Sequence, residues 1–303
     1  MLSRRHFLGS AAAAVAGLRA GLPRSAPQPA LPLAFSTLGC PAWSWGTVLD
    51  FAARHGYAGV ELRGLHGTMD LTQRPEFAPD AVPDARRQLG ERGLRVVALG
   101  SSAMLHETDP AKRAAHADEV RRYVDLAARL GAPYVRVFGN EYVDGEPREA
   151  TVARVAAALR EFGAYARPRG VTVLLEAHGD FTDSPTLLAL MRRADSPGVA
   201  LLWDAHHTFV SGREQPEDTV RQLAPYIRHT HLKDSVPGGK DRRYVLTGRG
   251  EVPVARQVAA LARAGYRGYY SFEWEKRWHP EIEEPEVALA QFPEAVRGYA
   301  PAR

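Results

Sequence analysis

Short apolar runs bounded by glycine or polar residues recur along the chain, at residues 33–37, 59–62, 95–99, 134–138, 171–175, 199–203, 227–232 and 269–274. Runs this short, rich in valine, leucine and aromatic residues, read as strands. Between them the spacing of apolar positions changes to that of a helix, over 46–55, 80–91, 110–130, 148–168, 184–194, 217–223, 254–264 and 286–297. Gly56, Gly131 and Gly265 each follow a helical segment and precede an apolar run. A glycine there takes the left-handed conformation that ends a helix.

Eight strand and helix units in this order predict a closed parallel barrel, the (β/α)8 or TIM barrel of the α/β class, as a single domain over residues 31–303. Apolar strands joined by crossover helices have both sheet faces covered, and eight such units close on themselves. An open doubly wound sheet is the alternative. That arrangement normally carries a glycine-rich phosphate loop after its first strand, and Ser36-Thr37-Leu38-Gly39-Cys40-Pro41 is not one.

Residues 1–30 stand apart. Arg4 and Arg5 head an alanine-rich, weakly apolar stretch over 7–18, followed by a proline-rich linker. The stretch is shorter than the roughly 20 apolar residues that span a bilayer, so it predicts a twin-arginine signal peptide rather than a stable membrane anchor. The expected destination is periplasmic or extracellular, with the twin-arginine export machinery as a partner. The whole chain, 303 residues with 45% apolar and 24% charged, has a formal charge of +4, and residues 1–30 supply four arginines and no acid. The remainder is therefore near neutral and lacks the basic field that phosphate backbones require, which disfavours a nucleic-acid partner. Cys40 is the single cysteine, so no intramolecular disulfide forms. It follows Leu38-Gly39 in superficial likeness to a lipid-attachment site, yet lies beyond the apolar stretch at the end of a predicted strand.

In a barrel, functional groups sit at the C-terminal ends of strands. Four successive strand ends are polar here, and they carry Glu176, Asp204, His231 and Glu273, separated by 28, 27 and 42 residues. One unit of a barrel of roughly 250 residues is about 31 residues long, so the four meet at one mouth. Three carboxylates and an imidazole converging there repel one another unless a cation joins them. One divalent metal ion is therefore expected, with Mn2+ or Mg2+ favoured by the oxygen-rich donors and Co2+, Zn2+ or Fe2+ as alternatives.

The order of Glu61 in Gly59-Val60-Glu61-Leu62, Glu176 in Leu175-Glu176-Ala177-His178, the Asp204–His207 pair, His229-Thr230-His231-Leu232-Lys233-Asp234, Gly248-Arg249-Gly250-Glu251 and Ser271-Phe272-Glu273 resembles the sugar phosphate isomerase/epimerase family of xylose isomerase-like barrels. The resemblance spans roughly residues 33–299. It implies metal ligation by the same four residues. It also implies an isomerase or epimerase acting on a ketose, keto-inositol or related sugar, in which the metal polarises a carbonyl and stabilises an enediolate. Glu176 and Glu273 are then the catalytic acid/base pair, and Asp204 and His231 are ligands only.

Further substrate contacts are expected from His207, Glu61, Arg249 and Trp274. His207 competes with the adjacent His206 for the inward direction. Glu61 has a salt bridge to Arg63 or Arg136 as its alternative role. Trp274 and Trp278 offer aromatic faces to a sugar ring. His178 and His229 either orient the ligands or are satisfied barrel histidines. Lys233 joins Arg249 as a clamp for a carboxylate or phosphate, and 240–243 reads as a solvated loop. Three other functions stay open: a lyase of the inosose dehydratase type, an endonuclease IV-like phosphodiesterase that would draw on Glu61, His66 and His106, and a non-catalytic sugar-binding barrel. The expected partner is a small sugar or polyol. The oligomeric state, dimer included, is left open.

Overall fold

Eight parallel strands close into a barrel in the order β1-β10-β7-β6-β5-β4-β3-β2. They are β1 (Leu33–Ser36), β2 (Gly59–Leu62), β3 (Arg95–Met104), β4 (Tyr134–Phe138), β5 (Thr172–Glu176), β6 (Val199–Asp204), β7 (Ile227–Leu232) and β10 (Tyr270–Phe272). The structure, a computed structural model, describes residues 31–239 and 241–299. The signal peptide expected at 1–30 lies outside them. Helices α1 (Trp45–Arg54), α2 (Val82–Glu91), α3 (Pro110–Leu130), α4 (Arg148–Ala166), α5 (Ser184–Ala194), α7 (Pro216–Leu223), α8 (Val254–Arg263) and α9 (Pro285–Val296) alternate with the strands as the pattern predicts. No described helix is long and apolar enough to cross a membrane.

The strand period sorts side chains into two compartments. Val173, Leu175, Leu201 and Trp203 belong to the large apolar core between strands and helices, whereas Leu174, Ala200 and Leu202, capped by Tyr134, form a separate cluster in the barrel interior. Alternate positions on a strand face opposite ways, so Glu176 and Asp204, two residues beyond Leu174 and Leu202, face the interior above that apolar plug. Register places the neighbours level: Asp204 pairs with His231, and His231 with Ser271. Helix ends are held by the expected devices. Gly56, Gly131 and Gly265 have φ of 75°, 76° and 77°, and Asp183 caps α5 by accepting from Thr186 N at 2.9 Å, worth about 1 kcal/mol.

Three features depart from expectation. Strand β3 runs five residues past the predicted end, through Gly100-Ser101-Ser102-Ala103 to Met104, because a register shift lets Met104 pair with Phe138 although the segment is not apolar. A short helix α6 (Ala205–Val210) starts at the residue after Asp204. The segment after β7 is an antiparallel hairpin, β8 (Asp234–Pro237) with β9 (Arg242–Val245), rather than a solvated loop. Its Arg242 donates from Nε to Ser235 Oγ at 3.0 Å; Lys240 lies outside the described residues.

Candidate metal centre

Glu176, Asp204, His231 and Glu273 are all buried, and one ligand atom from each lies within 4.8 Å of the others. His231 organises the group. Its Nδ1 is 3.1 Å from Glu176 Oε1, 3.1 Å from Glu273 Oε2 and 3.8 Å from Asp204 Oδ2. The opposite nitrogen, Nε2, donates to Glu61 Oε2 at 2.9 Å, and His229 Nε2 donates to the same oxygen at 2.7 Å. A carboxylate on one ring nitrogen fixes which nitrogen faces an ion.

Glu61 is thereby corrected as a substrate contact. Fully buried and occupied by two histidines, it does not reach the cavity. It pairs with neither Arg63 nor Arg136. Burial alone would raise its pKa, but His231 and His229 outweigh that and hold it well below the carboxylate range. His229 orients Glu61, which orients His231.

Lys233 is fully buried, and its Nζ donates to Asp204 Oδ2 at 2.7 Å, to Glu275 Oε1 at 2.8 Å and to Glu273 Oε2. It does not serve as a free clamp. Burial would lower its pKa, and the three carboxylates reverse that and raise it well above the usual value. On β4, Arg136 stands with Nε 3.1 Å from Glu176 Oε2. Around the centre five buried carboxylates, Glu61, Glu176, Asp204, Glu273 and Glu275, face three buried cations, Arg63, Arg136 and Lys233. With His231 neutral, as a metal ligand must be, this group carries an excess of negative charge that a divalent cation relieves. The donor set therefore fits such an ion, and carboxylate oxygens retain lone pairs for it while accepting from Lys233.

A cavity of about 270 Å3 opens over this group. Glu176, Glu273, Glu275 and Lys233 line its floor, with Arg63, Arg136 and Phe138 on one side. His178, His207 and Tyr244 complete the wall, and Trp278, 54% exposed, stands at the rim. Larger hollows of about 440 and 360 Å3 lie between α3 and α4 and beside the N-terminal end of β4, and neither contains the acidic group.

His207 reaches the cavity as expected, while His206 turns away and bonds Ser235 Oγ at 2.8 Å. The choice is made by a helix, not by strand alternation. Asp204 Oδ1 accepts from His206 N at 2.9 Å and His207 N at 3.1 Å, capping α6 and placing the two rings 100° apart on its first turn. Burial lowers the His207 pKa to about 4, so the ring is neutral near pH 7.

Two other expected contacts are corrected. Trp274 is fully buried and donates from Nε1 to Glu283 O at 2.9 Å, stacked on Phe272, because the strand parity that turns Glu273 inward turns Trp274 outward. Arg249 is exposed and does not line the cavity. Its neighbours act instead on Asp234, whose carboxylate accepts from the backbone N of Ser235, Gly248, Gly250 and Val252 at 2.8–3.1 Å. A Cβ at position 250 would lie 2.2 Å from Asp234 Oδ1, so the Gly248-Arg249-Gly250 segment wraps that carboxylate and fixes the hairpin that carries Tyr244. Among the described residues, His66 and His106 do not join the metal-binding group.

The pattern defining the xylose isomerase-like TIM barrel family matches residues 49–294. The chain belongs to this family. A 3-dehydroshikimate dehydratase of Bacillus anthracis is 25% identical over 197 residues, covering 63% of this chain and 66% of its own. Among solved structures, the IolI protein with a bound zinc atom superposes with a TM-score of 0.75 at 19% identity, over 90% of this chain and 100% of its own. A D-psicose 3-epimerase with D-tagatose from Clostridium cellulolyticum H10 gives 0.70 at 17% identity, over 89% and 99%. At these identities the structural likeness shows the fold. Relatives and structural neighbours of the chain thus include a dehydratase and an epimerase.

Three side chains of the cavity were missed or misassigned by sequence reasoning: Glu275, Tyr244 and Arg63. Glu275 and Arg63 lie two residues beyond Glu273 and Glu61, so strand alternation carried one step further points to both. Tyr244 had no such signal, because it comes from the hairpin.

Proposed function

We propose that this protein is a divalent-metal-dependent enzyme that removes a proton beside a carbonyl of a small polyhydroxylated substrate and returns it to give an isomer or epimer. The observation that carries this reading is a division within the four-residue group: Glu176 and Glu273 line the cavity, whereas Asp204 and His231 do not. Carboxylates that both hold an ion and face the substrate are placed to move protons, and the other two serve as ligands alone.

Glu176, Asp204, His231 and Glu273 would hold a divalent cation, with Mn2+ the first candidate, which when bound would supply polarisation of a carbonyl oxygen and stabilisation of the charge developing on it. Burial would raise the pKa of both glutamates, but Arg136 and His231 hold Glu176 low, and His231 and Lys233 hold Glu273 lower still. Both are ionised near neutral pH, the state required to accept a proton. One glutamate takes the proton and, now protonated, returns it to the adjacent atom; delivery to the opposite face draws on the other glutamate after it has taken a proton from water. Neutral His207 hydrogen-bonds a substrate oxygen, and Tyr244 and Trp278 narrow the mouth. The twin-arginine head of residues 1–30 supports export as the folded protein.

The test is exchange of solvent deuterium into a panel of ketoses and keto-inositols with Mn2+ present. Label at the carbon beside the carbonyl is expected. Absence of label across a broad panel, with metal-loaded protein, sinks the proposal.

The 25% identity to a 3-dehydroshikimate dehydratase favours a second outcome of the same first step, loss of water instead of proton return. An absorbing unsaturated carbonyl product would establish the lyase, and labelled starting material without it the isomerase or epimerase.

A further inference from the structure

Arg63 is 7% exposed, lines the cavity and has no hydrogen-bond acceptor for its buried Nη1 among the described residues. None of its guanidinium nitrogens lies within 4.0 Å of a described carboxylate, although Arg136 and Lys233, the other two cations of the cavity, each hold one. A buried charge without a partner is costly, and proteins seldom retain one without use.

The chain also brings a like charge beside it. A Cβ at Gly100 would lie 2.7 Å from Arg63 Cδ and 2.9 Å from Arg136 Nη2, so the absence of a side chain there lets the two arginines pack against the same strand. Burial, and then the neighbouring Arg136, lower the Arg63 pKa to about 10, which still leaves it charged. Two adjacent guanidinium groups, one ion-paired with Glu176 and donating to the backbone O of Ser101, line the same cavity, and the other keeps its planar fork of N–H donors for a ligand.

We propose that Arg63 binds a carboxylate of the substrate, so that the enzyme acts on a small hydroxy or keto acid rather than on a neutral sugar. Among the described residues Glu176 is paired with Arg136, and Glu273 and Glu275 with Lys233, which leaves Arg63 as the one cavity cation without a carboxylate. A monoanion then suits the unpaired guanidinium better than a phosphate ester with two charges. The cavity, about 270 Å3, matches a molecule of this small size. The inference rests on the cavity being the substrate site proposed above.

The experiment uses the full chain loaded with Mn2+ and titrates matched pairs by calorimetry: quinate against methyl quinate, and gluconate against glucitol, with myo-inositol 1-phosphate as the phosphate arm. At least one carboxylate is expected to bind about 10- to 100-fold more tightly than its neutral partner, the range of one charge-assisted contact. Arg63→Gln is expected to erase that difference, and to raise the melting temperature of the unliganded protein by removing the unpaired charge.

Equal or absent binding in every pair overturns the proposal, as does tighter binding of the inositol phosphate. A lower melting temperature or loss of folding in Arg63→Gln gives the residue a structural role and overturns it too. Deuterium exchange run on a keto acid and a neutral ketose, 2-ketogluconate against fructose, separates the two readings. Carboxylate binding without exchange sinks the catalytic reading and keeps this one. Exchange into neutral ketoses with no carboxylate preference does the reverse.

Discussion

His231 Nε2 lies 2.9 Å from Glu61 Oε2, with both residues fully buried. The carboxylate leaves Nδ1 as the nitrogen directed at Glu176 and Glu273, so an ion meets a ring already oriented and made more basic. Glu61→Gln keeps the shape and removes the charge. The expected result is metal affinity about 10- to 100-fold weaker, read by competition with a chromophoric chelator, with the far-ultraviolet circular dichroism unchanged. Unaltered affinity would reduce Glu61 to a packing partner of the two histidines.

Glu273 and Asp204 are both partners of Lys233 Nζ, yet only Glu273 lines the cavity. Replacing each by its amide separates proton transfer from ligation. At saturating Mn2+, Glu273→Gln and Glu176→Gln are expected to lower kcat by about 10²- to 10⁴-fold, the range for losing a general acid or base. Asp204→Asn is expected to act through metal occupancy, so that excess ion restores much of the rate. Full rescue of Glu273→Gln by metal alone would remove it from proton transfer.

The barrel and its four polar strand ends were legible because a parallel strand alternates with period two and its C-terminal end is where an inward polar side chain is tolerated. Glu176 and Asp204 sit two residues beyond Leu174 and Leu202, which plug the interior. The same alternation assigns Trp274 to the outer core and Glu275 to the cavity, so the misreading of Trp274 came from weighing aromatic chemistry above parity. His206 and His207 resisted it because Asp204 ends a strand and caps a helix at once. Tyr244 was beyond reach, since its place depends on a hairpin tied by the backbone around Asp234 rather than on periodicity.

Cys40 is 1% exposed, and burial pushes its thiol far above the usual range. The preceding β1 is a stave of the barrel, so processing immediately before Cys40 for lipid attachment would remove it. In the unfolded chain the thiol ionises near pH 8.5. Above that pH the unfolded state holds fewer protons than the folded one, so stability falls as pH rises, by up to about 1.4 kcal/mol per pH unit from this group. Urea midpoints measured between pH 8 and 10 are expected to decline in the natural protein and to decline less in Cys40→Ala. Parallel slopes would show that the thiol ionises freely in the fold.

Lys233 makes the sharpest separation between metal-free and metal-loaded protein. Its ammonium shares Asp204 Oδ2 and Glu273 Oε2 with the space an ion would take, and it also holds Glu275, whose pKa burial raises to about 6. Lys233→Met removes the charge, keeps most of the volume and leaves three buried carboxylates facing one another. In EDTA the variant is expected to lose about 3–5 kcal/mol of stability, the cost of breaking a buried pair from one side. Mn2+ supplies positive charge to the same oxygens, so the ion should raise the melting temperature of the variant more than that of the natural protein. Equal losses with and without Mn2+ would mean that the ion and the ammonium do not share those oxygens, and the placement of the metal among Glu176, Asp204, His231 and Glu273 would have to be abandoned.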